Sequence, residues 1–233
     1  MTRTYVITGA GSGIGKATKE LLQAQGHTVI GVDLKGADVI ADLSTKQGRL
    51  EGAQAAIDAA DGSVDAVIAC AGVTLPTPLT VSVNYFGMTE FLDAMAPVLA
   101  RSDASRAVLI SSYSSLQEND PELVEAMCVD DDEDKARGIA QKLPDEVGPR
   151  EAQGLIYAST KRAVSRWVRR ESIKPQWAGA GIPLNGFADP EVVAELMIWL
   201  TNPANTHVTG QTVYVDGGAD VSMRGDNIWD LAE

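Results

Sequence analysis

The chain has 233 residues, 45% of them hydrophobic, which fits one α/β domain with a core of its own. Its formal net charge of −13 argues against a nucleic-acid partner, because binding along a phosphate backbone needs clustered Lys and Arg to displace counterions. Two cysteines, Cys70 and Cys128, are too few for a disulfide framework, and no apolar run reaches the ~18 residues of a membrane span, so a soluble, cytoplasmic protein with no membrane partner is expected.

In chain order, residues 5–8 (YVIT) predict a short buried strand that begins too early to leave room for a targeting segment. The glycine-rich stretch TGAGSGIG (residues 8–15) follows. A helix is predicted over 16–25, with Ala17, Leu21, Leu22 and Ala24 on its apolar side and Gly26 ending it. Strands follow at 28–33, 38–43 and 64–71, then a long helix at 82–100 and a fifth strand at 107–112. Residues 117–150 form a long, acidic, helix-prone segment where a short link would do. It reads as an insertion with helices at 121–127 and 132–142, and its run Asp130-Asp131-Asp132-Glu133-Asp134 reads as a solvated face. A helix at 152–172 is followed by strands at 182–185 and 212–215 on either side of a helix at 190–200. This alternation predicts a single α/β domain: a Rossmann-like, doubly wound parallel sheet of about seven strands with helices on both faces.

Two local patterns carry chemistry. Glycine backbone at a strand-to-helix turn can approach a pyrophosphate, whose charge the helix N-terminus then favours. The spacing here is G-x-x-x-G-x-G over Gly9, Gly13 and Gly15, with Gly11 extra; Ile14 stands where the commoner G-x-G-x-x-G needs its last glycine. Asp33 ends the second strand about 20 residues further on, where a carboxylate can accept hydrogen bonds from ribose hydroxyls. It would repel a 2′-phosphate, and Lys35 is the one nearby cation, which favours NAD over NADP. The second pattern is Tyr157-Ala-Ser-Thr-Lys161, which puts a phenol and an ammonium on one helix face at i, i+4. A tyrosine with an ordinary pKa of about 10 is a poor base, and a neighbouring ammonium favours its phenolate. Ser111 and Ser112 end the fifth strand at the sheet's carboxyl edge, where a hydroxyl can hold a substrate oxygen. Each pattern has a plain structural reading when taken alone: a tight turn, a chance spacing, turn serines.

Taken together, TGAGSGIG, Asp33, Asp42-Leu43, Cys70-Ala71-Gly72, Asn84, Ser112, Tyr157, Lys161 and Val215-Asp216-Gly217-Gly218 occur in the order of the short-chain dehydrogenase/reductase family, which the chain resembles over nearly its whole length. IADLST (residues 40–45), SVNYFG (82–87) and the insertion are most similar to its bacterial NAD-dependent 3α-hydroxysteroid dehydrogenase/carbonyl reductases. The resemblance implies Tyr157 as general acid/base, with Lys161 binding the nicotinamide ribose and tuning Tyr157. Ser112 orients the carbonyl, with Ser111 as the fallback, and Asn84 binds a relay water. It further implies a cofactor site over Gly9, Ser12, Gly13, Ile14, Gly15, Asp33 and Leu34, with Asp42 and Leu43 flanking the adenine and Ala71 and Gly72 along the ribose path. No metal is implied.

The expected activity is therefore NAD(H)-dependent interconversion of a secondary alcohol and a ketone, on an apolar cyclic or steroid-like small molecule. Val73, Thr74, Ser114, Leu116 and Leu155 are candidates for the substrate pocket. The alternative is a non-catalytic NAD-binding or redox-sensing protein. An epimerase or dehydratase of nucleotide sugars would need a larger C-terminal domain than this length allows. Two departures from the family pattern stand out. Cys70 replaces the usual asparagine and is expected to be a buried structural thiol. After Asn185, where relatives carry a Pro-Gly turn and a long substrate lid, residues 186–190 lead straight into the next helix, so the lid is either deleted or left out of the sequence as written. The extra segment would crowd the common tetramer surface. A homodimer is expected instead, through the last helix, final strand and tail, where Trp199, Val221, Met223, Ile228 and Trp229 supply apolar groups that could equally pack on their own core.

Overall fold

Val6 and Ile7 are adjacent, both are 0% exposed, and they face opposite ways, so the strand that carries them is covered on both sides. The computed structural model describes residues 2–103, 105–172, 174 and 177. Within them β1 (Thr4–Thr8), β2 (Thr28–Asp33), β3 (Val39–Ile40), β4 (Ala66–Ala69) and β5 (Arg106–Leu109) form one parallel sheet in the order β3-β2-β1-β4-β5. The order reverses at β1, whose neighbours are β2 and β4. That switch point leaves a crevice at the carboxyl ends of the strands. The expected α/β parallel architecture is the observed one.

Several elements depart from expectation. The third, fourth and fifth strands are shorter than the apolar runs that suggested them. α1 (Gly13–Ala24) starts three residues early, and its packing stripe is displaced: Leu22 packs toward Ile7 and Val29, whereas Leu21 is 61% exposed and Ala17 and Ala24 are exposed too. The helix instead meets the turn through buried Gly15, and residues 15 and 22 share one face two turns apart, which rotates Leu21 away. α2 (Lys46–Ala59) has no counterpart in the sequence reading. Its buried face is Arg49, Gly52, Ala53 and Ala56, so no stripe of large apolar residues marks it. Thr45 caps it, accepting from the Gly48 amide at 3.0 Å.

The long helix after β4 begins four residues early, at a proline suited to a first turn: α3 (Pro78–Val81) runs through one π-helical turn (Ser82–Phe86) into α4 (Gly87–Leu99). Residues 117–150 carry α5 (Pro121–Cys128) and α6 (Glu133–Val147), capped by Asp120 and Asp132 through the amides of Leu123 (2.8 Å) and Lys135 (2.9 Å). Both pack on α7 (Pro149–Glu171). α2, α4, α5, α6 and α7 share the larger core cluster on one face of the sheet; α1 covers the other. The two last expected strands, the helix between them, the join after Asn185, Val215 to Gly218 and the apolar tail lie outside the described residues. No helix among the described residues is long and apolar enough to cross a membrane.

Candidate active site

The glycine turn is tight because backbone presses on it from two sides. Gly9 has φ +70°, and a Cβ there would lie 2.8 Å from the Ala71 nitrogen; a Cβ on Gly15 would lie 2.3 Å from the Gly9 carbonyl oxygen. The turn therefore lies directly against the end of β4 and the first turn of α1. The Ser12 side chain makes no capping bond and the first turn of α1 carries no acid, so its amide-rich end is left for an anion. Asp33 is locked at the end of β2: one carboxylate oxygen accepts from the Gly11 amide at 2.9 Å, the other from the Leu34 amide at 2.7 Å. Thr8 Oγ1 accepts from the amides of Cys70 and Ala71, both at 3.2 Å, tying the ends of β1 and β4 together.

Between these strand ends is a cavity of about 250 Å³ that brings together Gly9, Ser12, Asp33, Leu34, Asp42, Leu43, Ala71 and Gly72. Gly13, Ile14 and Gly15 do not line it: Gly13 makes the turn at φ +51°, Ile14 is 63% exposed, and Gly15 is consumed in packing. Ser44, Leu79 and Val83, which the sequence reading passed over, complete the wall. So does Cys70, and this corrects an expectation. Its thiol is half-buried rather than enclosed, because the end of β4 opens directly onto the cavity. Burial pushes its pKa up, against the pull of the Lys161 ammonium. Of the proposed substrate residues, Val73 lines the same cavity, Ser114 and Leu155 are half-buried, Thr74 is exposed and Leu116 is 60% exposed.

Asn84 sits in the π turn, fully buried. Its Oδ1 accepts from the Val73 amide at 2.8 Å and its Nδ2 donates to the Val73 carbonyl at 2.9 Å and to Thr160 Oγ1 at 3.4 Å. It thereby fixes the loop after β4 and reaches α7 one residue before Lys161. Lys161 is 3% exposed and donates to the Ile110 carbonyl, just past β5, at 2.8 Å; its Nζ lies 5.5 Å from the centre of the Tyr157 ring. Burial drives the Lys161 pKa down to about 8, opposed by the nearby Cys70.

The two serines after β5 differ. The Ser111 hydroxyl is engaged with Ser165 Oγ at 2.9 Å and faces the Lys161 carbonyl at 3.4 Å. Ser112 Oγ accepts from the Ser114 amide at 3.2 Å, a bond that leaves its own O–H free to donate. The segment after it is pinned to α7 by Arg162, which donates to the Ser115 carbonyl at 2.7 Å, and by Ser159 Oγ, which accepts from the Asp120 amide at 2.9 Å.

A cradle that a Cβ at Gly9 would fill, an uncompensated helix end and a carboxylate-walled slot for a planar base and its sugar suit a dinucleotide. Comparison with known proteins agrees with this geometry. A family model described as NAD dependent epimerase/dehydratase family matches residues 5–172, and one described as Enoyl-(Acyl carrier protein) reductase matches residues 152–220. The chain is 32% identical to the 3-alpha-hydroxysteroid dehydrogenase/carbonyl reductase of Comamonas testosteroni, over 256 aligned positions covering 94% of this chain and 97% of that one. It is 26% identical to the short-chain reductase protein NovJ of Streptomyces niveus, covering 91% and 92%. Among solved structures it resembles the 3-alpha-hydroxysteroid dehydrogenase from Pseudomonas sp. B-0831 complexed with NADH, at 38% identity and a TM-score of 0.68, covering 95% of this chain and 98% of that one.

Proposed function

This chain belongs to the short-chain dehydrogenase/reductase family, and from that premise we propose that it is an NAD(H)-dependent oxidoreductase interconverting a secondary alcohol and a ketone, on an apolar cyclic or steroid-like substrate. The observation that carries the reading is the ammonium of Lys161: buried, one helical turn from Tyr157, and anchored at the strand end that leads into Ser112. A buried cation beside the Tyr157 ring is placed to stabilise the negative charge that develops as that hydroxyl gives up its proton.

In the direction of reduction, the Tyr157 hydroxyl gives its proton to the carbonyl oxygen while the free O–H of Ser112 donates to the same oxygen and holds it in place. Lys161 stabilises the phenolate that forms, and Asn84 keeps the loop after β4 seated against α7. In oxidation Tyr157 takes the alcohol proton back. A dinucleotide held in this cavity would supply the hydride chemistry, as NADH the donor in reduction and as NAD+ the acceptor in oxidation. Asp33 would accept the ribose hydroxyls and repel a 2′-phosphate, the basis for choosing NAD over NADP. The name of the Comamonas testosteroni relative supports the substrate class. Its alignment spans 256 positions against 233 residues here, so that relative carries residues with no counterpart in this chain. We read the working form as a homodimer, because α5 and α6 already cover much of α7; a sedimentation mass of four chains would refute that part.

The test is NADH formation on a panel of secondary alcohols running from cyclohexanol to a 3-hydroxysteroid, with wild type and Tyr157→Phe side by side. Loss of the phenol should cut kcat by at least about 10²-fold while NADH affinity stays unchanged. Activity that survives Tyr157→Phe refutes the mechanism, and NADH binding without turnover of any ketone favours the non-catalytic alternative.

A further inference from the structure

The largest fully buried side chain of the described residues is a charged one, Arg49 on α2, at 0% exposure. Each of its nitrogens has acceptors. Nε donates to the Leu43 carbonyl at 2.8 Å. Nη2 donates to the carbonyls of Ser44 (3.1 Å) and Ser82 (3.2 Å) and to Glu133 (2.7 Å). Nη1 donates to Glu133 at 2.7 Å and to Glu90 at 3.2 Å. Leu43 and Ser44 belong to the wall of the dinucleotide cavity, Ser82 opens the π turn that carries Asn84, and Glu133 is the first residue of α6. One guanidinium therefore joins the segment 117–150 to the floor of the cavity. Glu133 lies within the acidic run expected to be a solvated face; its neighbours Asp131, Asp132 and Asp134 are exposed, but its own side chain is 22% exposed and grips Arg49 through both oxygens.

Apolar packing alone could hold α2 and α4 together, and burying a guanidinium is costly unless carboxylates and hydrogen bonds offset it. What an apolar residue could not do is present five N–H donors in a fixed plane at once to carbonyls of the loop before α2, a carbonyl of the π turn and two carboxylates. We propose that Arg49 and Glu133 form a positioning pair that sets the affinity of the cavity for the adenosine half of the cofactor. Glu133 orients the guanidinium, and the guanidinium holds the Leu43 and Ser44 backbone in the shape that receives the base. The proposal rests on the reading of that cavity as a dinucleotide site. It gives the segment 117–150 a role in cofactor binding, although α5 and α6 contribute nothing to the cavity wall.

The experiment is titration of the full chain with NADH and, separately, with AMP as a probe of the adenosine end alone, followed by steady-state rates at saturating NADH. Glu133→Gln is the main variant because it preserves shape. Arg49→Lys keeps the charge but loses the fork, and Lys135→Ala, on the exposed side of the same helix, is the control. The expected result is a rise of about tenfold or more in Kd for both NADH and AMP in Glu133→Gln and Arg49→Lys, with kcat at saturation within about twofold of wild type and no change in Lys135→Ala. A lower Tm with both Kd values unchanged would make the pair a purely structural strut and overturn the proposal. Rescue of Kd by Arg49→Lys would overturn the positioning argument, since charge alone would then suffice. Wild type that binds neither probe would refute the dinucleotide reading itself and this inference with it.

Discussion

Lys161→Met should make the protein more stable and inactive at once, and the gain should depend on pH in a direction fixed by the structure. The ammonium is 3% exposed, and among the described residues no carboxylate pairs with it; its pKa falls from 10.5 to about 8. At about 1.36 kcal/mol per unit, keeping this lysine charged in the folded state costs about 3 kcal/mol relative to the unfolded chain. Because the folded pKa is below the unfolded one, that cost is fully present below pH 8, shrinks as pH rises from 8 to 10.5, and is absent above. The unfolded state binds the extra proton across that window, so wild-type stability rises with pH relative to the variant. Methionine fills similar volume without charge, but it gives up the hydrogen bond to the Ile110 carbonyl, worth about 1–2 kcal/mol. The net gain at pH 7 should therefore be about 1–2 kcal/mol. Urea unfolding of both proteins between pH 6 and pH 9.5 measures it, and the difference should fall by about 2 kcal/mol above pH 8. A difference that is flat across that range would refute the argument that Lys161 is a buried, unpaired charge.

Two further outcomes follow from the same geometry. Ser112→Ala should lower kcat by about 10²-fold through loss of one donor to the substrate oxygen, whereas Ser111→Ala, whose hydroxyl is engaged with Ser165, should leave kcat within a few-fold; steady-state kinetics on any ketone turned over by the wild type separates them. Asp33→Ala should raise kcat/KM with NADP relative to NAD by about tenfold or more, equivalent to about 1.4 kcal/mol of removed repulsion, and also weaken NAD because the Gly11 amide loses its acceptor. An unchanged cofactor ratio would show that the carboxylate does not face the 2′ position.

What was legible in the sequence was what is local in the chain. The glycine turn is a strand end running into a helix start, and Tyr157 and Lys161 meet because i and i+4 share a helix face; the parallel sheet follows from the alternation of elements. Asp33 was legible because a strand end has a fixed place relative to the turn. What escaped was non-local or lacked hydrophobic contrast. α2 buries Gly52, Ala53 and Ala56, whose lack of bulk lets α4 approach and also erases the periodic signal. Arg49 reaches acceptors between 5 and 84 residues away in sequence, and no spacing rule connects such positions. Glu133 looks like its acidic neighbours in the sequence; only the tertiary fold distinguishes it. Leu21 misled because an apolar residue was assigned to the apolar face when buried Gly15 and half-buried Leu22 define it.

The two buried cations beside the cavity show how burial acquires opposite meanings. Arg49 and Lys161 are both withdrawn from water, and desolvation alone would lower the pKa of each. For Arg49 the hydrogen bonds and charges of Glu133 and Glu90 outweigh that and hold the guanidinium's pKa above its ordinary value; Glu133 in turn, which burial would raise, is held below its own by Arg49. Such a group is locked in one protonation state at any pH the protein meets, and so can serve only as a fixed element. Lys161 has a carbonyl and a neighbouring thiol but no carboxylate partner among the described residues, and its pKa falls to about 8. A charge left without a counterion is available to stabilise an anion that forms transiently, and the phenolate of Tyr157, on the next turn of the same helix, is the group placed to become one. Supplying Lys161 with a carboxylate, for example by Cys70→Asp, should therefore raise its pKa, stabilise the fold below pH 8 and abolish turnover, because the positive charge would then be neutralised in the resting state. Retained activity in that variant would mean that turnover does not depend on an uncompensated charge at Lys161.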